Sequence, residues 1–253
     1  MTGRVCAMGY DSAFFGNAFA DFYDRVYPES PDVEDAAGVI VTLCGVGGSV
    51  LELGVGTGRH AVAFVRHGLR VHGVDASQRM VEKLGERDHL GQVAVTVADF
   101  TQCVVSERFD VVFLGLNTLW ELPTQELQLA TLRNAGQQLA AGGRLVVDVS
   151  EPTRLHSRQS PQVAMHDIGG EAVLVSATRV NPFRQHTVVS FSIIEPGVIH
   201  KLQEVSRYVW PSELDLMAGV AGLVLTDRWS DWAGTPYSPG AERLISVYRR
   251  ARG

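Results

Sequence analysis

A glycine-rich turn between a short apolar run and an amphipathic segment constrains this chain more than any other feature. The run Ser49–Leu53 leads into three glycines at every second position, Gly54, Gly56 and Gly58, and apolar residues recur at helical spacing through 59–67. This order predicts a β-strand, a tight turn and an α-helix. Glycines at such a turn permit positive φ and let a ligand lie against bare main chain, while the first helical turn offers unpaired N–H groups. The turn is therefore a candidate ligand cradle.

The spacing of these glycines distinguishes two kinds of cofactor turn. A dinucleotide fingerprint, G-x-G-x-x-G, counted from Gly54 would place its third glycine where this chain has Arg59. The pattern present is E-x-G-x-G-x-G, starting at Glu52. It resembles motif I of the class I S-adenosylmethionine-dependent methyltransferases, which implies that Glu52 and the three glycines line the methionine part of that cofactor. The alternative is a βα turn whose glycines serve packing alone.

Length and composition fit one large α/β domain with room for an insertion. The 253 residues are 45% hydrophobic and 20% charged, which is ordinary for a globular protein. The formal net charge of -6 gives no electrostatic footprint for nucleic acid, and the one basic cluster is the tail Arg249, Arg250 and Arg252. We therefore expect no nucleic-acid partner.

The spacing of the cysteines and the length of the apolar runs indicate the cellular compartment. Cys6, Cys44 and Cys103 are widely spaced and form no C-x-x-C pair, which argues against a disulfide scaffold or a zinc site, so we expect no metal. The N-terminus has no apolar run of signal-peptide length, and nothing in the chain approaches about 18 consecutive apolar residues. We expect a cytoplasmic protein with no membrane partner.

An acidic residue follows the second predicted strand at the separation expected for a ribose contact. The strand 70–74 ends at Asp75, which is 75 − 54 = 21 positions after Gly54. At about this separation a carboxylate can accept hydrogen bonds from both ribose hydroxyls. Asp75 is therefore predicted to bind the cofactor, together with Ala76. The alternative is that Asp75 caps the next helix, although Ser77 can serve as that cap.

The third predicted strand, 93–97, leads to a second acidic residue, Asp99. In the family that this chain resembles, an Asp here accepts a hydrogen bond from the adenine amino group, and apolar neighbours sandwich the ring. The resemblance implies this role for Asp99, with Ala98, Phe100 and Met80 as walls. Asp is also common in turns, so a structural role is the alternative.

The segment that leaves the fourth predicted strand should form the floor between cofactor and acceptor. Strand 109–114 is followed by 115–120, and in an open α/β sheet ligands bind outside the carboxyl ends of the strands, where strand order reverses. Leu116 belongs to the predicted cofactor site. Asn117 offers donor and acceptor atoms and Trp120 a flat wall, so both are candidate catalytic residues. Trp120 is equally consistent with a core position.

The N-terminal segment is rich in aromatic residues. Phe15, Phe19, Phe22 and Tyr23 follow i, i+4, i+7, i+8 spacing, which predicts an amphipathic helix with one aromatic face. Such a face can simply pack on the core. In proteins that resemble this chain, however, the N-terminal helix folds over the cofactor as a lid and a Tyr near its end touches it, which implies cofactor and catalytic roles for Tyr23. A lid would exclude water and align the reactants.

The pattern changes after Ser150. Residues 151–168 are polar and predicted to be irregular, and three runs separated by short turns, 171–180, 186–195 and 202–209, are predicted strands. Consecutive strands joined by short turns favour antiparallel pairing. We therefore expect an insertion that either caps the substrate site or pairs with another copy of the chain to form a homo-oligomer.

These patterns define the expected architecture: a Rossmann-like, seven-stranded class I methyltransferase sheet with helices on both faces, an N-terminal helical lid and an antiparallel β insertion after strand five. Its parts are the lid with the α/β core, the insertion, and the completion of the core sheet, at residues 1–150, 151–210 and 211–253. Ser212 is the predicted N-cap of the last helix, 212–221, and two final strands, 223–229 and 244–248, complete the sheet.

Methyl transfer from a sulfonium requires an electron pair on the acceptor, alignment of the two reactants and a dry site. A positioned base matters more for a hydroxyl acceptor than for an amine. His156 joins Asn117, Trp120 and Tyr23 as a predicted catalytic residue. Other candidates for a base are His60, Asp148, Glu151 and His166, and the sequence does not choose among them.

The order of strands and helices resembles the class I methyltransferase fold over essentially the whole chain, which implies S-adenosylmethionine as cofactor and S-adenosylhomocysteine as product. Within the family, the aromatic helix and the β insertion resemble enzymes that N-methylate amino sugars and lincosamide-type antibiotics. We therefore predict transfer to a nitrogen of a small-molecule acceptor in natural-product biosynthesis. The alternatives are an O-methyltransferase, an S-adenosylmethionine-binding protein without activity, and a nicotinamide-dependent oxidoreductase, which Arg59 and the antiparallel end of the sheet disfavour.

Overall fold

The computed structural model describes residues 10–156 and 161–251, so Cys6 and Arg252 lie outside the described residues. The strands are β1 Ser49–Leu53, β2 Arg70–Asp75, β3 Val93–Val97, β4 Phe109–Leu114, β5 Leu139–Ser150, β6 Gln162–Asp167, β7 Val173–Asn181, β8 His186–Glu195, β9 Val198–Arg207, β10 Leu223–Trp229 and β11 Arg243–Arg250. The helices are α1 Phe14–Val26, α2 Pro31–Cys44, α3 Arg59–Arg66, α4 Gln78–Arg87, α5 Gln125–Gln138, α6 Thr153–His156 and α7 Pro211–Val220. A short 3₁₀ turn, Thr118–Glu121, follows β4.

The predicted seven-stranded sheet is confirmed, with the order β10-β11-β5-β4-β1-β2-β3. Strands β1 to β5 pair in parallel, and β11 pairs antiparallel with both β5 and β10. The chain order reverses at β1, which lies between β4 and β2. Ligands bind at such a switch point, outside the carboxyl ends of the strands.

Helices cover both faces of this sheet, as predicted. Apolar side chains of α2, α3 and α4 pack on one face, and those of α5 and α7 pack on the other. All five residues of β1 are buried, because this strand lies near the middle of the sheet and is covered on both sides. Among the described residues, no helix is long and apolar enough to cross a membrane, and no group of three or more His, Cys, Asp or Glu side chains could hold a metal ion.

A second sheet, of four antiparallel strands in the order β6-β7-β8-β9, lies in the chain between β5 and α7. The prediction of an irregular segment over 151–168 is wrong in part, because α6 and β6 lie within it. Five of the six β6 side chains are exposed, so the strand lacks the alternation that marks a half-buried strand. Strand β9 begins at Val198, four residues before its predicted start at Leu202. The prediction missed these four residues because their side chains are also exposed and show no alternation.

The two predicted helix caps have opposite outcomes. Ser77 caps α4, since its Oγ accepts a hydrogen bond from the backbone N–H of Met80 at 3.2 Å. Ser212 does not cap α7, because the helix already begins at Pro211 and Trp210 is the N-cap residue. Proline favours the first helical position, where its fixed φ suits the helix and no N–H is lost.

Helix α1 lies between the two sheets. Phe19 is fully buried in a cluster with second-sheet residues that include Leu174, Phe191 and Ile193. On its other side, α1 approaches α4 so closely that a Cβ on Gly16 would lie 2.5 Å from the Cβ of Ser77. The aromatic face of α1 thus packs on the second sheet, while the opposite face meets the helix that follows β2.

Candidate active site

All three glycines of the turn between β1 and α3 have positive φ: 75° at Gly54, 54° at Gly56 and 79° at Gly58. A Cβ on Gly54 would lie 2.5 Å from Cγ2 of Thr118, and one on Gly58 would lie 2.9 Å from Cγ of Leu84. Gly56 differs, because no atom of the described residues lies within 4 Å of the place that its Cβ would take. Packing therefore requires two of the glycines, and Gly56 exposes bare main chain to open space.

This open space is a cavity of about 60 Å³ beside the turn. The opposite wall comes from α1 and the residues before it, which contribute Ser12, Phe15, Gly16 and Tyr23. Ligand pockets measure roughly 300–1,000 Å³, so α1 or its side chains must move before a nucleoside-sized ligand fits. Helix α1 thus occupies the position of the predicted lid.

Asp75 lies in this cavity and holds the turn in place. Its Oδ2 accepts a hydrogen bond from the backbone N–H of Gly56 and its Oδ1 one from the N–H of Ser77, each at 2.8 Å. Burial raises the pKa of the Asp75 carboxyl, and these two bonds oppose that rise. Because Ser77 caps α4, the carboxylate of Asp75 connects the glycine turn to the end of β2 instead of serving as the helix cap.

Glu52 presents an unpartnered carboxyl oxygen to the same cavity. The residue is 4% exposed, and its Oε2 has no hydrogen-bond partner among the described residues. Burial raises the pKa of Glu52 well above its usual range. His60 Nδ1 lies 3.8 Å from Oε1, but burial lowers the pKa of His60 to about 3, so the imidazole is neutral and does not offset the carboxylate charge. The site therefore suits a ligand that brings a positively charged group to Glu52.

The remaining predicted cofactor residues divide into two groups. Ala76, Met80, Phe100 and Leu116 line the cavity, as a binding role requires. Ala98 and Asp99 are not among its lining residues, and Asp99 Oδ1 accepts a hydrogen bond from the backbone N–H of Thr101 at 2.8 Å. That bond is typical of an Asp in a turn.

Asn117 does not have a free amide, contrary to what its predicted catalytic role requires. Its Oδ1 accepts a hydrogen bond from the Ser150 N–H at 2.6 Å, and its Nδ2 donates to the Ser150 hydroxyl at 3.1 Å. Leu116 and Asn117 both have positive φ, 50° and 67°. Asn117 therefore fixes a strained exit from β4 against the end of β5, and it lines the larger cleft beside this exit.

A second, larger cleft of about 820 Å³ shares only Leu116 with the first. Trp120 lines this cleft. The residue is 95% buried and also packs in the core, so it both forms a wall of the cleft and occupies a core position. Two ion pairs lie in the cleft, Arg243 with Asp148 at 2.6 Å and Arg154 with Glu242 at 2.7 Å. Asp32, Glu151 and Asp231 also line it, so its five carboxyls outnumber its two guanidinium groups.

Among the described residues, His60 is the one candidate base that lines this cavity, while Asp148 and Glu151 line the larger cleft. His156 is exposed, lies outside both linings and stacks on Trp210 with ring centroids 5.4 Å apart. His166 is an exposed residue of β6. The Glu151 carboxylate accepts hydrogen bonds from the Thr153 hydroxyl at 2.7 Å and from the Tyr237 hydroxyl at 3.0 Å, so it serves a loop contact. The prediction of His156 as a catalytic residue is not supported by this placement.

Two carboxyls that the sequence analysis did not identify lie on the turn after β4 and on β9, two elements that contact each other. Glu121 ends the 3₁₀ turn and lines the cavity, while Glu204 projects from β9. Burial raises the pKa of both groups, and Glu204 raises that of Glu121 further, followed by Asp75. No cation among the described residues lowers the Glu121 pKa. Its position directly after Trp120, at the carboxyl end of β4, is a signal that could have identified Glu121, whereas Glu204 has no such signal.

The charge of Glu121 also acts on three tyrosines of the N-terminal segment. It contributes to the raised pKa of Tyr10, Tyr23 and Tyr27. For Tyr27, burial is the larger cause and Glu204 the next, and together they raise the pKa to about 12. The three tyrosines are therefore neutral hydroxyl donors at physiological pH.

Comparisons with known proteins agree with this geometry. Residues 50–143 match a family described as a methyltransferase domain. The chain is similar to the CcbJ methyltransferase from Streptomyces caelestis, with 32% identity and a TM-score of 0.88 over 96% of this chain and 100% of that one. It is 27% identical over 205 residues to the cypemycin N-terminal methyltransferase of a Streptomyces species, covering 81% of this chain and 84% of that protein.

A structure of CalS10 from Micromonospora echinaspora with S-adenosylmethionine bound shares the fold, with 18% identity and a TM-score of 0.69 over 96% of this chain and 99% of that one. The residues of the cavity suit the same cofactor, since Gly56 exposes main chain, Oε2 of Glu52 lacks a partner among the described residues and Asp75 ends β2. With the 32% identity to CcbJ along nearly the whole chain, these observations show that the chain belongs to the S-adenosylmethionine-dependent methyltransferases.

Proposed function

We propose that this enzyme methylates an amine nitrogen of a small metabolite in natural-product biosynthesis. Two relatives support this proposal through what their names state. One is the cypemycin N-terminal methyltransferase, and CalS10 is an amino pentose methyltransferase involved in calicheamicin biosynthesis. Both act on compounds that carry amino groups, which makes an amine the first acceptor class to test.

In this proposal the cofactor binds along the glycine turn. Glu52 would hold its amino group, Asp75 its ribose hydroxyls, and Tyr23 on α1 would close over it. Bound S-adenosylmethionine supplies a methyl group on a sulfonium, which an uncharged amine nitrogen can attack as the carbon–sulfur bond breaks and its electron pair stays on sulfur. The residues of α1 exclude water from this site, since water screens the charges that bind and align the reactants.

The observation that carries the proposal is the excess of carboxyls at the cavity. Glu52, Asp75 and Glu121 line it, and Arg59 is the only Lys or Arg side chain among its described lining residues. An enclosed site of this charge concentrates cations. An acceptor that arrives as an ammonium ion gains from this field, whereas an uncharged hydroxyl gains nothing comparable.

The proposal is tested with matched acceptors that differ in one functional group. We would measure S-adenosylhomocysteine formation with glucosamine and glucose, phenethylamine and phenethyl alcohol, and trialanine and N-acetyltrialanine. We expect turnover with at least one amine and none with its hydroxyl or acetylated counterpart. Turnover with the hydroxyl compounds at equal or higher rates would show an O-methyltransferase. Cofactor binding without turnover of any pair would contradict the amine assignment.

A further inference from the structure

We propose that Glu121 is the catalytic residue that binds the ammonium group of the acceptor and accepts its proton, and that Glu204, which lies behind it, is a positioning residue for Glu121. This inference rests on the proposed function, because it assigns residues to amine methylation. It concerns two carboxyls that no sequence motif marks and that the fold brings together from β9 and from the turn after β4.

The position of Glu121 lets it reach both reactants. It lines the same cavity as Gly54, Asp75 and Tyr23, which form the cofactor side. Glu121 is solvent-accessible and not sealed in the core, so an acceptor can reach it. The adjacent Thr118 packs against Gly54, so the 3₁₀ turn is fixed directly on the glycine turn. A group held this way can contact an acceptor next to the bound cofactor.

A second, independent observation points to a ligand here. Oε2 of Glu52, a residue that is 4% exposed, faces this cavity without a hydrogen-bond partner among the described residues. A buried carboxyl without partners is costly to ionise. The cavity therefore suits a positively charged group of the cofactor at Glu52, and in this inference it also binds the ammonium group of the acceptor at Glu121.

Glu204 is held in place to act on Glu121. The Ser206 hydroxyl lies 3.0 Å from Glu204 Oε1 and 2.9 Å from the hydroxyl of Thr187 on β8. Neighbouring carboxylates repel each other, so the charge of Glu204 disfavours ionisation of Glu121. A base works best when its pKa lies near the working pH. Burial and the charge of Glu204 both raise the pKa of Glu121 from its usual value toward the working pH.

The ionisable groups whose charge acts on Glu121 are Glu204 on β9 and Asp75 on β2, and Glu121 in turn acts on Tyr23 of α1, on Tyr10 before this helix and on Tyr27 after it. The tyrosines stay neutral, and the Arg59 side chain bonds to Tyr23 and to the Pro28 carbonyl. Glu204 is therefore the group whose removal should change the titration of Glu121 most.

The proton balance is simple. The acceptor enters as an ammonium ion and forms an ion pair with the Glu121 carboxylate. One N–H bond breaks, its electron pair stays on nitrogen, and the proton passes to the Glu121 carboxylate. The nitrogen lone pair is then free to form the new bond to carbon. Glu121 later releases the proton to solvent when α1 opens, so that each turnover starts from the carboxylate.

The test compares E121Q and E204Q with a control variant, E126Q. Glu126 is an exposed residue of α5 and does not line the cavity. With the amine of highest turnover in the acceptor screen, E121Q should lose about a hundredfold or more in kcat and still bind S-adenosylhomocysteine like wild type. E204Q should retain turnover, and the acidic limb of its kcat–pH profile should move to lower pH. E126Q should match wild type. An E121Q enzyme within about threefold of wild type would refute the catalytic role.

A second readout does not depend on turnover. Protein labelled with ¹³C at the glutamate carboxyl carbon, with S-adenosylhomocysteine bound, is titrated by NMR, and E121Q assigns the Glu121 signal. The Glu121 midpoint should lie above the usual glutamate range and fall by about half a unit or more in E204Q. Equal midpoints in wild type and E204Q would overturn the positioning role. If the screen finds only hydroxyl acceptors, the proposed function fails instead, whatever the NMR shows.

Discussion

Replacing Asp75 tests whether the carboxylate at the end of β2 both holds the glycine turn and binds the cofactor. In the free protein its two oxygens accept hydrogen bonds from the N–H groups of Gly56 and Ser77, each at 2.8 Å. Asp75→Ala leaves both donors without an acceptor. Asp75→Asn keeps one acceptor oxygen but turns an NH₂ group toward the other donor, so this isosteric change should also lose one of the two bonds.

The expected magnitudes follow from these bonds. A hydrogen bond to a charged group contributes about 1.5–3 kcal/mol to stability. Burial of the Asp75 carboxylate, which raises its pKa, offsets part of this contribution. We therefore expect Asp75→Ala to lower the free energy of unfolding by about 2 kcal/mol. Loss of the ribose hydroxyl contacts should weaken cofactor binding by about 1–3 kcal/mol, which corresponds to about 5- to 150-fold in Kd.

Asp110 provides a matched control at the opposite end of the sheet. Its Oδ2 accepts hydrogen bonds from the Ser49 N–H at 2.8 Å and from the Ser49 hydroxyl at 2.9 Å. Asp110→Ala should cost similar stability in urea unfolding without changing calorimetric Kd values for S-adenosylmethionine. If Asp75→Ala bound the cofactor as wild type does, or if both variants weakened it equally, the ribose assignment would be wrong.

Three further predictions concern the turn, the lid and the new carboxyl. Gly54→Ala should destabilise far more than Gly142→Ala in urea unfolding, because both have φ near 80° but only the first would place its Cβ 2.5 Å from Thr118; equal losses would refute the packing argument. Arg25→Ala removes bonds to two carbonyls of the turn between β6 and β7, so it should cost about 1–2 kcal/mol and speed proteolysis of α1, and unchanged cleavage would contradict this contact. Because the pKa of Glu121 is raised in the folded protein, the folded state favours the protonated carboxyl. Ionisation of Glu121 therefore lowers the free energy of unfolding as pH rises above 4.5, the usual glutamate value. Glu121→Gln should therefore gain Tm over wild type as pH increases, and a constant difference would oppose the enclosed placement.

The central sheet could be predicted because local signals mark its strands. The bounds of β1, β3, β4 and β10 match the predicted ranges, since the first three are mostly apolar runs between turn or helix signals and β10 follows the glycine after α7. Edge strand β6 could not be found this way, as five of its six side chains face solvent and their polarity is free to vary. Periodicity detects burial, so a strand that buries little leaves no pattern.

Residues of the candidate site could be predicted only where consecutive elements of the chain fix the distance between them. Gly56 and Asp75 are linked by β1, one turn, α3 and β2, and the fold joins them through the hydrogen bond at 2.8 Å. The partners of Asn117 and the stacking of His156 on Trp210 depend on tertiary contacts that no local pattern encodes. Glu204 meets Glu121 only because the second sheet folds back over the turn after β4, so its part in the site requires the three-dimensional fold.

The placement of α1 connects access to the cofactor with the state of the second sheet. One face of the helix walls the cofactor cavity through Phe15 and Tyr23, and Phe19 is fully buried among second-sheet side chains. Arg25 adds an ion pair with Glu195 of β8 at 2.9 Å. The 60 Å³ cavity must widen to admit a cofactor. A movement of α1 that widens it must therefore either carry the second sheet along or break these contacts, so opening for the cofactor also changes the environment of Glu204 on the same sheet.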